Sequence, residues 1–213
     1  MIKSKQIIFI DWNRTLSYNL FWEQLRSPSH QHNKHHQPIT QWLFSDNKHL
    51  INPWMRGELT EDDVLTKMSD ETGIDKEIIQ ESLTHSCKQM ALCSTNIAPL
   101  IRELQAKGAL VVIATDNMDV FRKYTVPALK LDELFDDILI SSELGVLKDD
   151  KEPVGAISFF DKYLQDKGLS YKDAVLLDDS PDSSGKYKTL GFERVLIGSP
   201  EGLVVALEGL VVR

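Results

Sequence analysis

Asp11, Thr115, Lys148 and the pair Asp178-Asp179 are the residue types from which a phosphoryl-transfer site can be built, and they lie far apart in a chain of 213 residues. Asp11 closes the run Ile7-Ile8-Phe9-Ile10, Thr115 closes Val111-Val112-Ile113-Ala114, and Asp178 closes Val175-Leu176-Leu177. A carboxylate projecting from the end of a buried strand can attack an electrophile such as phosphorus and form a covalent intermediate. An aspartate that caps a turn or a helix occupies the same kind of position, so Asp11 alone leaves both readings open. Asp178 and Asp179 favour the first, because several carboxylates drawn into one pocket repel and are costly to bury unless a cation compensates them. Mg2+ suits oxygen ligands, needs few protein carboxylates and commonly shares a substrate phosphate. Lys148 offers a fixed positive charge, and Thr115 offers hydroxyl and backbone donors to a phosphoryl oxygen. Lewis acid, cation and donors around a nucleophile make an electrostatic cradle for phosphoryl transfer.

Such scattered groups meet only if the fold gathers them. Apolar runs of this kind read as parallel strands buried on both faces, and open α/β sheets bind ligands beyond the carboxyl ends of their strands. Strands are predicted at 6–10, 109–114, 138–140, 174–178 and 192–197. Helices alternate with them at about 96–107, 118–130, from Pro153 to Gly168, and 182–190, and the amphipathic tail from Pro200 suits one more. The fold class is therefore α/β, a doubly wound parallel sheet.

Between Leu20 and Leu92 helical periodicity takes over. Thr60-Glu61-Asp62-Asp63 caps a helix carrying Val64, Leu65 and Met68, which Gly73 closes. Asp75 then caps a longer helix through Ile78, Ile79, Leu83 and Met90. Residues 20–92 read as an inserted helical cap, and residues 1–19 with 93–213 as the core. The polar stretch from Ser27 to Pro38 holds four of the six histidines, His30, His32, His35 and His36. It is predicted to be a surface loop with solvated histidines, a metal site there being the alternative.

The four pieces, in this order and at this spacing, resemble the four motifs of the haloacid dehalogenase (HAD) superfamily. Asp11-Trp12-Asn13-Arg14-Thr15 resembles its Asp-x-Asp-x-Thr signature and Thr115-Asp116-Asn117 its second motif. Gly145-Val146-Leu147-Lys148 is similar to the motif-three lysine segment, and Leu177-Asp178-Asp179-Ser180-Pro181-Asp182 to the fourth motif. The resemblance covers about residues 5–20 and 90–198. It places the insertion where the superfamily carries a helical type-one cap, and Arg56-Gly57-Glu58-Leu59-Thr60-Glu61 is similar to a recurrent cap segment. It implies that Asp11 is the nucleophile and a Mg2+ ligand, that Asp179 is the second acidic ligand with Asp178 supporting it, and that the main-chain carbonyl of Asn13 completes the set. It further implies that Thr115, Asp116 and Asn117 meet the substrate and that Lys148 neutralises Asp11 and the phosphoryl group. Lys151 is the alternative lysine, since the segment after Lys148 departs from the usual Lys-Pro pairing. The substrate implied is a small phosphorylated metabolite, because a cap closes the site against water and macromolecules.

Position 13 departs from the pattern. Phosphatases of the superfamily carry aspartate there as general acid and base, and an amide cannot cycle a proton; such help is typically worth about 10²–10⁴ in rate. The chain is then a slow phosphatase for a good leaving group, one that recruits an acid from the cap (His49, His85 or Glu58), or a relative that binds a phosphorylated ligand without turning it over. A phosphonate C–P hydrolase is a further reading, because Asp11-Trp12 echoes that branch, and it needs a desolvated cap lysine among Lys34, Lys48, Lys67, Lys76 and Lys88. Dehalogenases work without metal, and the Asp178-Asp179 pair argues against that chemistry. In the cap, Trp54 and Arg56 are candidates for reading the substrate, with packing for Trp54 and solvent exposure for Arg56 as the alternatives. Arg14 stands where the superfamily commonly has glycine, facing either the cap mouth or solvent.

Bulk properties set the remaining bounds. A net charge of −8 argues against nonspecific binding to nucleic acid or anionic membrane. No apolar run reaches the roughly 18 residues of a membrane span. The first strand begins too near Met1 to leave room for a signal peptide. Cys87 and Cys93 are poorly spaced for a bridge and are expected to be reduced thiols in a cytoplasmic protein. Oligomeric state is not legible in these residues.

Overall fold

The computed structural model describes residues 6–150 and 155–212. Lys151 and Pro153 lie outside the described residues. Five parallel strands, β1 (Ile7–Ile10), β2 (Leu110–Thr115), β3 (Asp137–Ile140), β4 (Ala174–Asp178) and β5 (Glu193–Leu196), form one sheet in the order β3-β2-β1-β4-β5. The apolar runs become strands because both of their faces are covered. Alternate residues Ile8, Ile10, Val111, Ile113, Val175 and Leu177 enter one apolar cluster, and Ile7, Phe9, Val112, Ala114, Ala174 and Leu176 enter another. This is the doubly wound arrangement the sequence predicts.

The inserted helices are α1 (His36–Gln41), α2 (Ile51–Met55), α3 (Glu61–Thr72) and α4 (Lys76–Lys88). The core helices are α5 (Ile97–Ala106), α6 (Val126–Leu129), α7 (Leu131–Leu134), α8 (Ser141–Leu144), α9 (Ser158–Asp166), α10 (Lys186–Leu190) and α11 (Pro200–Val211). Helices α5, α7 and α11 cover the first sheet face, and α9 and α10 the second. The Thr60–Asp63 capping box forms as expected and Gly73 ends α3 in the left-handed region, φ 69°. Helix α4 stops at Lys88, short of Met90, and α10 is shorter than predicted because the segment after Asp179 is held in turns ahead of Gly185, φ 70°. The His30–His36 stretch is loop only in part: a 3-10 turn at Asn33–His35 leads directly into α1. Both cysteines are free. Among the described residues no helix is long and apolar enough to cross a membrane.

Register places the chemistry. Ile10 pairs with Ile113 on one side and Leu177 on the other, and the Asp11 N–H donates to the Leu177 carbonyl at 2.9 Å. Asp11 therefore lies level with Asp178 at the carboxyl edge. The strand order also reverses at β1, and such a switch point opens a ligand crevice.

The cap has its own apolar core, including Trp22, Leu43, Trp54, Leu65, Ile79 and Leu83, and two core-domain residues, Met118 and Val120, belong to it. Polar bonds add to this docking. The Trp54 indole donates to Asp119 at 2.7 Å, Arg56 pairs with Asp150, and Glu61 accepts from Lys123 at 2.7 Å. Gly57, φ 70°, lies so close to the Ser142 backbone that a Cβ there would stand 2.3 Å from its carbonyl oxygen. Gly57→Ala is expected to cost roughly 2–5 kcal/mol, combining left-handed strain with overpacking. Denaturant unfolding measures it, and an unchanged midpoint would show that the cap docks with slack at this seam.

Candidate active site

Each acidic side chain arrives from the end of a strand. Asp11 follows β1, Asp178 ends β4 and Asp179 comes next, and carboxylate oxygens of all three lie within 4.8 Å of one another. Lys148 reaches them from the loop after α8, its Nζ standing 2.8 Å from Asp11 Oδ1 and 2.5 Å from Asp178 Oδ2. Asp11, Asp178 and Lys148 are all buried. The predicted gathering of Asp11, Lys148, Asp178 and Asp179 is thus present in the fold.

A second cation stands behind the first. Arg194, on β5, donates to Asp178 Oδ1 at 2.9 Å and to Asp149 Oδ1 at 3.1 Å. Its guanidinium lies 4.7 Å from the centre of the Tyr187 ring. The Tyr187 hydroxyl and Lys186 Nζ both donate to the Lys148 carbonyl, at 2.9 and 3.0 Å. Asp116 accepts from the Lys148 N–H at 3.0 Å, so the second motif also fixes the lysine's backbone. Sequence reading missed Arg194, because the polar residues in the last predicted strand look like those of a half-exposed edge.

Five carboxylates, Asp11, Asp116, Asp149, Asp178 and Asp179, stand around two cations, Lys148 and Arg194. Burial works against charge on Asp178, but Lys148 and Arg194 outweigh it and hold that carboxyl below its usual range. Burial pushes Asp11 up to about 7, against the pull of Lys148 and with the repulsion of Asp178 and Asp116. Burial also raises Asp116. Burial opposes the charged form of Lys148 and the surrounding carboxylates overcome it, so the ammonium stays charged. The surplus negative charge suits a divalent, oxygen-seeking ion. Among the described residues Asp11, Asp178 and Asp179 are the one group of at least three His, Cys, Asp or Glu side chains able to share a metal. The histidine-rich stretch does not form such a group.

Two buried hydroxyls, Thr15 Oγ1 and Thr115 Oγ1, have no hydrogen-bond partner among the described residues. Thr115 ends β2, and Thr15 lies in the turn that follows β1. The turn after Asp11 is tight, with Leu16 N–H on the Asp11 carbonyl at 3.2 Å and Arg14 at φ 56°. That left-handed conformation favours glycine, which explains why Arg14 is the unusual residue there. Asn13 is exposed and lines a cleft of about 650 Å3 between core and cap, together with Asp116, Asn117 and Arg14.

Trp54 and Arg56 are not brought to this cleft. Trp54 is fully buried as cap packing, and Arg56 is held by Asp150, whose other bond is to the Leu147 N–H. His49, Glu58 and His85 are exposed and do not line the cleft; Glu23 and His36 do. None of Lys34, Lys48, Lys67, Lys76 and Lys88 is buried, which leaves a Schiff-base lysine without its desolvated setting.

No family model matches the chain, and no curated protein is significantly similar to it in sequence. Solved structures are similar in fold. A predicted HAD-like family hydrolase from Porphyromonas gingivalis superposes with a TM-score of 0.73 at 16% identity, over 99% of this chain and 100% of that one. A HAD family enzyme from Bacteroides thetaiotaomicron, in complex with magnesium and inorganic phosphate, gives 0.65 at 14% identity over 90% and 93%. A dehalogenase gives 0.59 at 17% identity over 92% and 86%. The chain therefore has the fold of the HAD-like hydrolases, core and helical cap together.

Asp11 binds a proton more tightly folded, at about 7, than at its ordinary 3.8. Without a divalent ion its contribution to stability is complete below about 4 and is lost as pH rises through about 7. Thermal unfolding in a chelator is expected to shift upward as pH falls across that window, and Asp11→Asn to flatten the rise, leaving what Asp116 contributes. An unaltered profile in the variant would place the proton elsewhere.

Proposed function

We propose that this chain is a Mg2+-dependent hydrolase that removes the phosphoryl group from a small phosphorylated metabolite through an aspartyl-phosphate, with residues 20–92 as the cap and residues 1–19 with 93–213 as the core. The observation that carries this reading is the convergence of Asp11, Asp178 and Asp179 at the carboxyl edge of β1 and β4, with Lys148 bonded to the first two. The solved relative from Bacteroides thetaiotaomicron holds magnesium and phosphate, which supports the choice of ion. Asp11, Asp179 and the Asn13 carbonyl would hold the ion, which supplies Lewis-acid stabilisation of the phosphoryl charge.

The chain's own residues do the rest. The Asp11 carboxylate attacks phosphorus. Lys148 neutralises both Asp11 and the transferring group, and stays charged because carboxylates surround it. The hydroxyl of Thr115 donates to a phosphoryl oxygen, while Asp116 fixes the Lys148 backbone and Asn117 is set by its bonds with Ser141. Arg194 and Lys148 keep Asp178 ionised and in place, leaving Asp179 for the ion. The cap excludes water and macromolecules from the cleft.

Asn13 favours a second reading, a phospho-ligand-binding relative without turnover, because neither leaving group nor water finds a proton carrier at that position. The two readings separate in one experiment. With a good leaving group and Mg2+, a slow phosphatase is expected to release about one equivalent of alcohol in a burst and then turn over slowly, since hydrolysis of the aspartyl-phosphate lacks its base. Asn13→Asp is expected to raise the steady-state rate by about 10²–10⁴, and Asp11→Asn to abolish the burst. Mg2+-dependent ligand binding with no burst at all would establish the second reading.

A further inference from the structure

We propose that the substrate's leaving group is an aromatic alcohol, so that the site takes a small aryl phosphate in preference to a phosphorylated sugar or aliphatic alcohol. This rests on the phosphatase reading above and narrows its substrate class. Two independent observations meet in it.

The first is the lining of the cleft. Its lining includes Trp12, Asn13, Asp116 and Asn117, which lie one or two residues beyond Asp11 and Thr115 in the chain. The lining also carries large apolar groups, Phe21, Phe44, Ile51, Met55 and Met118, beside the polar Asn19, His36 and Thr40. Phe44 is 46% exposed and Leu20, also on the cleft, 48%. These are large apolar groups left in solvent at the place where a substrate would cover them. Several polar groups there are engaged within the protein: Glu23 and Arg26 pair with each other at 2.9 Å, the Thr40 hydroxyl donates to the His36 carbonyl at 2.8 Å, and Asn19 Oδ1 accepts from the Ala91 N–H at 2.9 Å. A polyol laid against Phe21, Phe44, Ile51, Met55 and Met118 would leave hydroxyls unpaired, which a binding site discriminates against strongly. A flat apolar ring fits a cleft of about 650 Å3, within the range of small-ligand pockets.

The second observation is the amide at position 13. In the first step the bond from Asp11 oxygen to phosphorus forms and the ester P–O bond breaks, its electron pair leaving on the alcohol oxygen. Asn13 cannot protonate that oxygen. A phenol, with a pKa of about 10, accommodates the charge far better than an aliphatic alcohol, whose acidity is nearer that of water at roughly 15.7. The phenolate takes its proton from solvent after release, and water then hydrolyses the aspartyl-phosphate to regenerate Asp11 and phosphate.

The test uses the full chain with Mg2+ and compares kcat/KM for phenyl phosphate, benzyl phosphate and glycerol phosphate. Benzyl phosphate keeps the ring but leaves as an aliphatic alcohol, so it separates fit from leaving ability. The expected order is phenyl above benzyl above glycerol, the extremes differing by at least about a hundredfold. Asn13→Asp is expected to raise the benzyl value more than the phenyl value, and Phe44→Ser to raise KM for phenyl phosphate about tenfold. Glycerol phosphate turned over as efficiently as phenyl phosphate would overturn the inference while leaving the phosphatase reading intact; a cap group such as His36 would then be the proton donor. No turnover of any of the three would remove the phosphatase reading beneath it.

Discussion

One buried ammonium shared between two buried carboxylates organises this site. Lys148 joins Asp11 to Asp178 across the switch point of the sheet, so the strands that carry the acids and the loop that carries the base are locked to one geometry. Removing a single partner from such a cluster leaves an uncompensated charge in a dry place, which is far more damaging than the net worth of the pair. The surrounding structure shows the same concern. Arg194, Tyr187 and Lys186 all act on Lys148 or its partners, and each comes from β5 or α10. The fold uses its last strand to hold the chemistry of its first and fourth.

The sheet was legible in the sequence because its strands are continuous apolar runs with abrupt polar ends, a pattern that follows from burial on both faces. The register was implicit as well. Once Asp11 and Asp178 are read as strand-end residues of adjacent parallel strands, their proximity follows. The inward face of the cap was not legible. Trp54 and Arg56, two apart in sequence, read equally as substrate contacts or as packing and solvent-facing groups; one fills the cap core and the other pairs with Asp150, because tertiary partners 65 and 94 residues away decide where a helix-end side chain turns. Arg194 escaped notice for the opposite reason. It looks like an ordinary polar residue of an edge strand, and only its side chain, two register positions short of Asp178, reaches that carboxylate.

The site also shows how electrostatics and conformation are coupled at the first strand's end. The chain turns sharply after Asp11, with the Leu16 N–H on the Asp11 carbonyl, and Arg14 takes a left-handed conformation within that turn. Asn13 then sits over the cleft with a side chain that can accept and donate hydrogen bonds but cannot exchange charge.

The helical layer and the sheet share part of one core, since Met118 and Val120 from the segment after β2 are packed among the cap's own residues. The insertion is thus continuous in sequence but not in packing. Its transferable module is larger than the loop that encodes it: grafting residues 20–92 onto a related scaffold without the stretch around 118–125 would expose an unmatched seam. Recombination that diversifies such enzymes would therefore have to move two separated pieces of chain together, or let the second drift into agreement with the first.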